Sequence, residues 1–167
     1  REVINREFPK RPVRSETRMR EYTPMGYYEG LIIDPDTEVT TVDIARAGIL
    51  PSMVCFESLC EVLDPTRVRQ DHILMNRTTD DAMQVTGAGM YGRKIAGPVK
   101  DRVVLFPDPM GATGGSMVEA ISFYREQLDG KPKRIITLHL IVTPEFIHRV
   151  TTTFPGQVDI YAYRLDR

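Results

Sequence analysis

A buried strand that runs directly into a glycine-rich loop and then into a helix is the feature that most constrains this sequence. Val103 to Phe106 is a continuous apolar run, which is typical of a strand buried on both faces of a sheet. The loop that follows, residues 107–116, reads Pro-Asp-Pro-Met-Gly-Ala-Thr-Gly-Gly-Ser. Apolar side chains then recur at helical spacing from Met117 to Leu128. Such a strand–loop–helix unit predicts a parallel sheet that is covered by helices.

The rest of the chain repeats this alternation of apolar strands and amphipathic helices. Short apolar runs rich in β-branched residues are bounded by Pro, Gly and Asp, and helical spacing appears between them. We therefore expect an α/β fold with a mostly parallel sheet and helices on both faces. The predicted strands are Val39 to Ala45, Val68 to Met75, Ile135 to Val142 and Val158 to Leu165, and the predicted helices are Ser52 to Leu63, opened by Pro51, and Pro144 to Val150.

Length and composition limit the classes of protein to which the chain can belong. Its 167 residues suit one domain with a hydrophobic core, and its net charge of -1 argues against a protein that mainly coats nucleic acid. Two Cys cannot form a disulfide scaffold, so we expect a reduced, cytoplasmic setting. No run of about 18 apolar residues is present, and we expect no membrane span.

The amino-terminal segment, residues 1–20, differs from the rest of the chain in charge. It holds seven Lys and Arg against three Glu, and Pro9 and Pro12 discourage a long helix. We interpret it as a basic arm that lies along the domain or a partner subunit, ahead of a single domain over residues 21–167. An anion- or nucleic-acid-binding tail is the alternative, although no aromatic residues are interleaved to stack on bases.

Residues 80–100 form the least regular part of the sequence. The stretch is dense in glycine, which is typical of a mobile lid or a binding loop. An ordinary protruding hairpin explains the same pattern equally well, and both interpretations stay open. Asp80 and Asp81 could bind Mg²⁺, but a solvated loop is the favoured interpretation.

The loop after the central strand has the properties of a phosphate cradle. Gly114 and Gly115 have no side chains that would keep an anion from the backbone N–H groups, while Thr113 and Ser116 add hydroxyl donors. The helix amino terminus adds about half a positive charge, and so short a loop suits one phosphate group. The triphosphate loop motif is absent because no Lys precedes Ser116, and the dinucleotide fingerprint is absent because the glycine spacing differs.

Asp108, at the end of the predicted strand, completes this candidate site. In an open α/β sheet, ligands bind outside the carboxyl ends of the strands. A carboxylate there can accept hydrogen bonds from sugar hydroxyls, and a pentose 5-phosphate would span the distance from Asp108 to the cradle. A plain glycine-rich turn with Asp108 as a cap is the alternative, but the acid, Thr, Gly-Gly and Ser together favour a ligand site.

The sequence from Val103 to Ser116 resembles the phosphoribosyl-diphosphate (PRPP) binding motif of the type I phosphoribosyltransferases, and its Asp-Pro-Met with a single acid is the variant found in the uracil phosphoribosyltransferases. Three other segments are similar to that family. Residues 43–49 resemble its Arg-Ala-Gly loop, residues 75–77 resemble a strand end whose Arg reaches PRPP, and residues 141–145 resemble its strand followed by Ala-Pro-Glu. The order and spacing of these segments fit the family from about residue 21 to residue 167.

The resemblance implies a fold, a reaction and a set of ligand contacts. It implies the type I phosphoribosyltransferase fold and the transfer of phosphoribosyl from PRPP to uracil, which yields UMP and diphosphate. Asp108 would hold the ribose hydroxyls, while Arg46 and Arg77 would bind the departing diphosphate through guanidinium forks. Mg²⁺ is expected on the diphosphate of PRPP rather than in a protein metal site. The other candidate PRPP-binding residues are Ala47, Gly48, Pro109, Met110, Gly111, Ala112, Thr113, Gly114, Gly115 and Ser116.

Two other functions fit the same fold. The chain could be a non-catalytic PRPP or nucleotide sensor, or a phosphoribosyltransferase for another base. Gly111 stands where the family usually has a large apolar residue. The family's base-recognition segment follows the strand that Tyr161 to Arg167 resembles, so we expect it to lie after Arg167. The expected partners are PRPP, a nucleobase and further copies of the chain in a homo-oligomer.

Two polar residues near the carboxyl end of the chain need no catalytic role. His139 lies within an apolar strand run and is predicted to be a core residue, while Glu145 suits the first turn of a helix. No Cys or carboxylate clusters in sequence with any His, so we expect neither a catalytic triad nor a zinc site.

Overall fold

Strands and helices follow one another in the alternating order that the sequence predicts. The structure, a computed structural model, describes residues 1–79 and 85–166, with side chains for residues 1–76 and 89–166. The strands are β1 (Lys10–Glu16), β2 (Tyr27–Ile33), β3 (Val39–Ala45), β4 (Val68–Thr79), β5 (Val85–Lys94), β6 (Val103–Pro107), β7 (Met110–Gly111), β8 (Arg134–Val142) and β9 (Asp159–Leu165). The helices are α1 (Glu2–Glu7), α2 (Ile49–Cys60), α3 (Gly115–Glu126) and α4 (Pro144–Thr153), with short 3₁₀ helices at Arg18–Glu21 and Pro65–Arg67.

Strands β3 to β9 form one sheet, and β1 and β2 form a separate antiparallel hairpin. The main sheet runs β5-β4-β3-β6-β8, and both β7 and β9 pair with β8. Among the described pairs of this sheet, only β4 with β5 is antiparallel. The predicted α/β fold with a mostly parallel sheet is therefore confirmed. Because the parallel strands share one direction, the loops after β3, β6 and β8 lie at the same edge of the sheet.

Helices cover both faces of the sheet, and each face has its own core. On one face, α3 and α4 bury Ile121, Tyr124 and Phe146 against the strands. On the other face, two buried side chains pack against the strands: Phe8, directly after α1, and Leu59 of α2. Successive residues of a strand point to opposite faces, so β3 and β6, which are buried on both faces, supply both cores. Each fully buried large apolar side chain contributes about 1.5–3 kcal/mol to stability.

The amino-terminal segment forms regular structure against the domain. Residues 10–16 pair with residues 27–33, and Ile4 and Phe8 belong to the core on the α2 face. Arg11 lies 2.9 Å from a carboxylate oxygen of Asp36. The interpretation of an arm along the domain agrees with these contacts, whereas none of them favours the nucleic-acid-binding tail. The predicted boundary at residues 20 and 21 lies within a 3₁₀ helix and stays a prediction.

The glycine-rich region contributes a hairpin to the edge of the sheet. Strand β4 continues past its predicted end at Met75 to Thr79, and β5 pairs with it from residue 85 to residue 94. Of the two open interpretations, the described part agrees with a hairpin. Asp80 and Asp81 lie outside the described residues.

A buried carboxylate fastens α3, the helix after the glycine-rich loop, to the sheet. Asp71 on β4 is fully buried and accepts a hydrogen bond from the Tyr124 hydroxyl of α3 at 2.8 Å. Arg69 Nη2 at 3.0 Å and the Ala96 N–H at 3.1 Å also donate to this carboxylate. Burial, together with the neighbouring Asp71 charge, raises the pKa of Tyr124, so its hydroxyl stays a donor. This network fixes the position of α3 and of the loop that precedes it.

Candidate active site

Hydrogen bonds hold the loop over residues 108–116 against β8 and α4. The Pro109 carbonyl accepts from the Ile141 N–H at 3.2 Å, and the Gly111 carbonyl accepts from the Thr143 N–H at 2.9 Å. The Thr143 hydroxyl donates to the next carbonyl, that of Ala112. Carbonyl groups of the loop are thereby directed to the neighbouring strand and helix. Thr143 also caps α4, because its side-chain oxygen accepts from the N–H at the third helical position at 3.1 Å.

The other end of the loop provides free N–H donors. Gly114 has a φ of +76°, a left-handed conformation that favours glycine, and α3 begins at the next residue. The first N–H groups of a helix have no acceptor within it. Over residues 1–79 and 85–166, no acceptor is found for the N–H groups of Thr113 and Gly114. The turn therefore offers several donors to an anion, beside the positive end of the helix dipole.

Asp108 follows the last residue of β6 at the carboxyl edge of the sheet. One of its carboxylate oxygens, Oδ1, accepts a hydrogen bond from the Met110 N–H at 3.2 Å. Burial raises the pKa of the Asp108 carboxyl above its ordinary value, and the Met110 hydrogen bond opposes that rise in part. The carboxylate is thus partly desolvated, which strengthens any hydrogen bond that it accepts from a ligand.

His139 of β8 contacts this acid through the backbone. Its Nδ1 lies 2.8 Å from the Asp108 carbonyl oxygen, so Nδ1 carries the proton and donates. The side chain is 7% exposed, which confirms the predicted core location. Burial lowers the pKa of His139 to about 4, and the imidazole is neutral near pH 7. Its Nε2 is buried and has no partner among the described residues.

Gly111 allows the loop to pack closely on α4. A Cβ atom at this position would lie 2.7 Å from Cδ2 of Phe146, which is closer than real Cβ contacts allow. The Phe146 ring is buried and also packs edge-on against the His139 ring, with centroids 4.6 Å apart. The aromatic ring of α4 therefore occupies the space into which a large side chain at residue 111 would project.

The Arg46-Ala47-Gly48 turn lies next to the glycine-rich loop. It follows β3, the direct neighbour of β6, and a Cβ at Gly48 would lie 3.1 Å from the carbonyl oxygen of Pro107. Gly48 is buried, whereas Arg46 and Ala47 are exposed at the carboxyl edge of the sheet. Two segments that are about 60 residues apart in the chain are thus brought together.

Arg77 belongs to the part of β4 that extends past the end of β3. Leu74 of β4 is level with Ala45, the last residue of β3, so residue 77 lies beyond the carboxyl end of that strand. Its backbone pairs with residue 88 of β5. The Arg77 side chain lies outside the described residues, and its role stays a prediction.

Sequence reasoning missed two residues that touch the loop. The sequence predicts His139 only as a core residue and gives no signal for Arg149. A Cβ at Gly115 would lie 3.2 Å from Arg149 Nη1, so this guanidinium lies directly against the turn. Neither residue lies near the loop in sequence, and no local pattern indicates the contact.

The described residues contain no group of three or more His, Cys, Asp or Glu side chains that could hold a metal ion. None of the helices in the described ranges is long and apolar enough to cross a membrane.

The model of the family "Uracil phosphoribosyltransferase" matches residues 6–167, which is nearly the whole chain. The chain belongs to the uracil phosphoribosyltransferase family. The family predicted from the residue 103–116 motif is therefore confirmed.

An individual relative agrees with this assignment, and solved structures share the fold. A uracil phosphoribosyltransferase from Dictyoglomus thermophilum is 31% identical over 144 residues, which cover 86% of this chain and 62% of the relative. The structure of a protein from Aquifex aeolicus matches with a TM-score of 0.70 and 20% identity, over 99% of this chain and 70% of that one. A purine phosphoribosyltransferase from Pyrococcus horikoshii matches with a TM-score of 0.55 and 17% identity, over 77% of this chain and 71% of that one. The predicted phosphoribosyltransferase fold is therefore confirmed.

The chain spans only part of the length of its relatives. It covers 57%, 62% and 59% of three curated uracil phosphoribosyltransferases that it matches.

Proposed function

We propose that this family member transfers the phosphoribosyl group of PRPP to uracil, with UMP and diphosphate as products. The observation that carries the proposal is the meeting of two loops at one edge of the sheet. The 108–116 loop offers unpaired N–H groups and the Asp108 carboxylate, and the Arg46 turn packs against its start. Family membership over residues 6–167 supports the same reaction.

The roles follow from the chemistry of the groups. The turn from Met110 to Ser116 would bind the 5-phosphate through N–H and hydroxyl donors. Asp108 would accept hydrogen bonds from the ribose hydroxyls, and Pro109, the next residue of the loop, would contact PRPP beside it. Arg46 and Arg77 would bind the diphosphate, and Ala47 and Gly48 would let the backbone approach it.

The reaction needs positioning and charge stabilisation more than proton transfer from a side chain. The bond between the anomeric carbon and the diphosphate oxygen breaks through an oxocarbenium-like state, and the electron pair leaves with diphosphate. A ring nitrogen of the base forms the new bond, and its proton passes to the departing diphosphate or to water. The guanidinium groups of Arg46 and Arg77 would stabilise the negative charge of the departing group.

Mg²⁺ would enter as part of the substrate, bound to the diphosphate of PRPP. This ion prefers phosphate oxygens and water, and it needs few protein ligands. The chain's own contribution would be to hold the two ends of PRPP, at the cradle and at the Arg46 turn.

Diphosphate release from PRPP with a panel of bases tests the proposal. We expect release with uracil and slower or no release with cytosine, orotate, adenine and hypoxanthine. Release with another base alone would favour a transferase for that base. Tight PRPP binding with no release for any base would favour the sensor, which Gly111 and its unusual contact with Phe146 keep as the second candidate.

Substitution of Asp108 tests the site itself. Asp108→Asn keeps the size of the side chain but removes the charge that strengthens its contacts with ribose hydroxyls. We expect turnover to fall by about 10²-fold or more, with thermal unfolding near that of the parent. Asp129→Asn, at an exposed position after α3, serves as the matched control and should keep full activity. Full turnover by Asp108→Asn would contradict the assignment of this residue.

We also propose a homo-oligomer that works in the cytoplasm. Ile49, Leu50, Met53 and Val54 expose apolar side chains along α2, and such a surface supports association with another copy. We propose as well that residues 1–20 form an arm and that residues 21–167 form one domain.

A further inference from the structure

Arg149 of α4 lies along the glycine turn at the start of α3. A Cβ at Gly114 would lie 3.5 Å from both Cβ and Cδ of Arg149, so the aliphatic part of this side chain follows the turn. Its Nη1 lies 3.2 Å from the position of a Cβ at Gly115. Any larger residue at these two positions would meet the arginine.

The guanidinium group is held from one side and free on the other. Its Nη2 lies 3.5 Å from Oε1 of Glu145, one helical turn earlier on α4. Its Nη1, at the Gly115 end, has no acceptor among the residues that the structure describes. The Arg149 side chain is 47% exposed, so a ligand in the turn can reach it from solvent.

The glycine-rich loop has no positive side chain of its own. Residues 107–116 contain no Lys or Arg, and the cradle depends on N–H groups, two hydroxyls and the helix dipole. A phosphate monoester carries between one and two negative charges near pH 7. A guanidinium group binds phosphate oxygens through charge-assisted hydrogen bonds, which are about twice as strong as neutral ones. Arg149 supplies a full positive charge at the point where the loop has only partial charges.

We propose that Arg149 is a binding residue for the 5-phosphate of PRPP and of the nucleotide product. Its Nη1 donates to a phosphate oxygen that the N–H groups of the turn also bind. Glu145 orients the guanidinium through Nη2 and moderates its charge. The inference rests on the proposed function for the identity of the ligand, whereas the binding experiment below does not require turnover.

Binding of two fragments of PRPP separates this role from a general effect on the site. Titration calorimetry measures the affinity for ribose 5-phosphate and for inorganic diphosphate with Mg²⁺. For Arg149→Ala we expect ribose 5-phosphate to bind about tenfold more weakly, because one charge-assisted hydrogen bond is lost at a half-exposed position. Diphosphate affinity should be unchanged, since it is assigned to the Arg46 turn. Arg149→Lys keeps the charge and should restore part of the loss.

Glu145→Gln distinguishes phosphate binding from a structural ion pair. If Arg149 serves only to pair with Glu145 on α4, both substitutions have the same effect. If Arg149 binds phosphate, Glu145→Gln removes a competing anion, and ribose 5-phosphate binds as well as before or more tightly. Arg125→Ala, at the far end of α3, is the control for loss of one surface charge and should leave both affinities unchanged.

Each remaining outcome decides the inference. Unchanged ribose 5-phosphate affinity in Arg149→Ala would overturn it, and so would an equal loss for both fragments. A parent protein that binds ribose 5-phosphate through Arg149 but releases no diphosphate with any base would contradict the proposed function and leave this inference standing. Circular dichroism of each variant shows whether the chain is folded, and Arg149→Lys carries the test if Arg149→Ala is not.

Discussion

At the scale of single residues, the candidate site depends on groups that act through the backbone. His139 holds the peptide of Asp108 by donating from Nδ1 to its carbonyl oxygen at 2.8 Å. Met110 holds the carboxylate of the same residue from the other side through its N–H. Asp108 is therefore positioned by two partners, of which one is 2 residues away in sequence and the other is 31 residues away.

The buried imidazole predicts an acid-sensitive contribution to stability. In the folded state burial lowers the pKa of His139 to about 4, from its ordinary value of 6.5. Between about pH 6.5 and 4, His139 binds a proton in the unfolded state but stays neutral in the folded state. The free energy of unfolding therefore falls as the pH decreases through this range. The loss is about 2 kcal/mol by pH 5.

Urea unfolding at pH 7.5 and pH 5 measures this effect. His139→Leu should lower the stability at pH 7.5, because the Asp108 carbonyl loses its donor, but it should show a smaller difference between the two pH values than the parent. His148→Leu, at an exposed position of α4, should keep the full difference. An equal pH response in the parent and His139→Leu would contradict the assignment.

At the scale of elements, α4 fills the space beside the glycine-rich loop that a larger side chain at position 111 would otherwise fill. The buried Phe146 ring lies where a side chain at Gly111 would project. The Thr143 cap of α4 bonds to the same loop, so helix and loop form one packing unit. The sequence departure at Gly111 thus has a structural partner on a different element.

A double-mutant cycle tests whether Gly111 and Phe146 are coupled through this packing. Gly111→Leu should destabilise the fold by about 1–3 kcal/mol through overpacking, and Phe146→Ala by about 3–5 kcal/mol through a cavity. In the double variant the leucine fills part of the cavity, so the measured loss should be smaller than the sum of the two by at least about 1.5 kcal/mol. Additive losses in denaturant unfolding would show that the two positions are not coupled.

Helix and strand boundaries show where local patterns are insufficient. Helix α2 is predicted from Ser52 to Leu63 but begins at Ile49, because the carbonyl of Gly48 already accepts from the Ser52 N–H at 3.0 Å. Pro51 is tolerated in the first turn, where its missing N–H would have no acceptor. Strand β4 extends four residues beyond its predicted end because β5 supplies the hydrogen-bond partners.

At the scale of the whole molecule, one edge of the sheet carries the candidate site and the opposite edge contributes to stability. The carboxyl edge carries the loops of the candidate site. At the opposite edge, the Arg102 side chain joins the start of β3 to the 3₁₀ helix that precedes β4. It donates to the Thr40 hydroxyl at 2.8 Å, to the Val39 carbonyl at 2.7 Å and to the Arg67 carbonyl at 2.8 Å. It also pairs with Glu38 at 3.0 Å, and it is only 11% exposed.

Arg102→Met should therefore reduce stability without changing ligand affinity. The substitution keeps the aliphatic length but leaves several acceptors unpaired, and we expect a loss of about 3 kcal/mol in the free energy of unfolding. The affinity for PRPP at a temperature where the variant is folded should match that of the parent. Lys133→Met, exposed at the same edge, should change stability by less than about 0.5 kcal/mol. A large loss of PRPP affinity in folded Arg102→Met would show that the two edges are coupled.

Much of the fold and the centre of the candidate site are local properties of the chain. The strand from Val103, the helix that follows and the Asp108 loop between them are predictable, because hydrophobic periodicity and turn chemistry act over a few neighbouring residues. The motif of the loop also indicates its family, which the match over residues 6–167 confirms.

The contacts that position the site were decided by tertiary structure alone. His139 reaches Asp108, Phe146 fills the space at Gly111, and Arg149 lies against Gly115, although more than 20 residues separate each pair in sequence. Residues so far apart meet only because β8 pairs in parallel with β6 and β7, and α4 then returns over the loop. Hydrophobic periodicity does not predict such contacts, since they depend on strand order and register rather than on neighbouring residues.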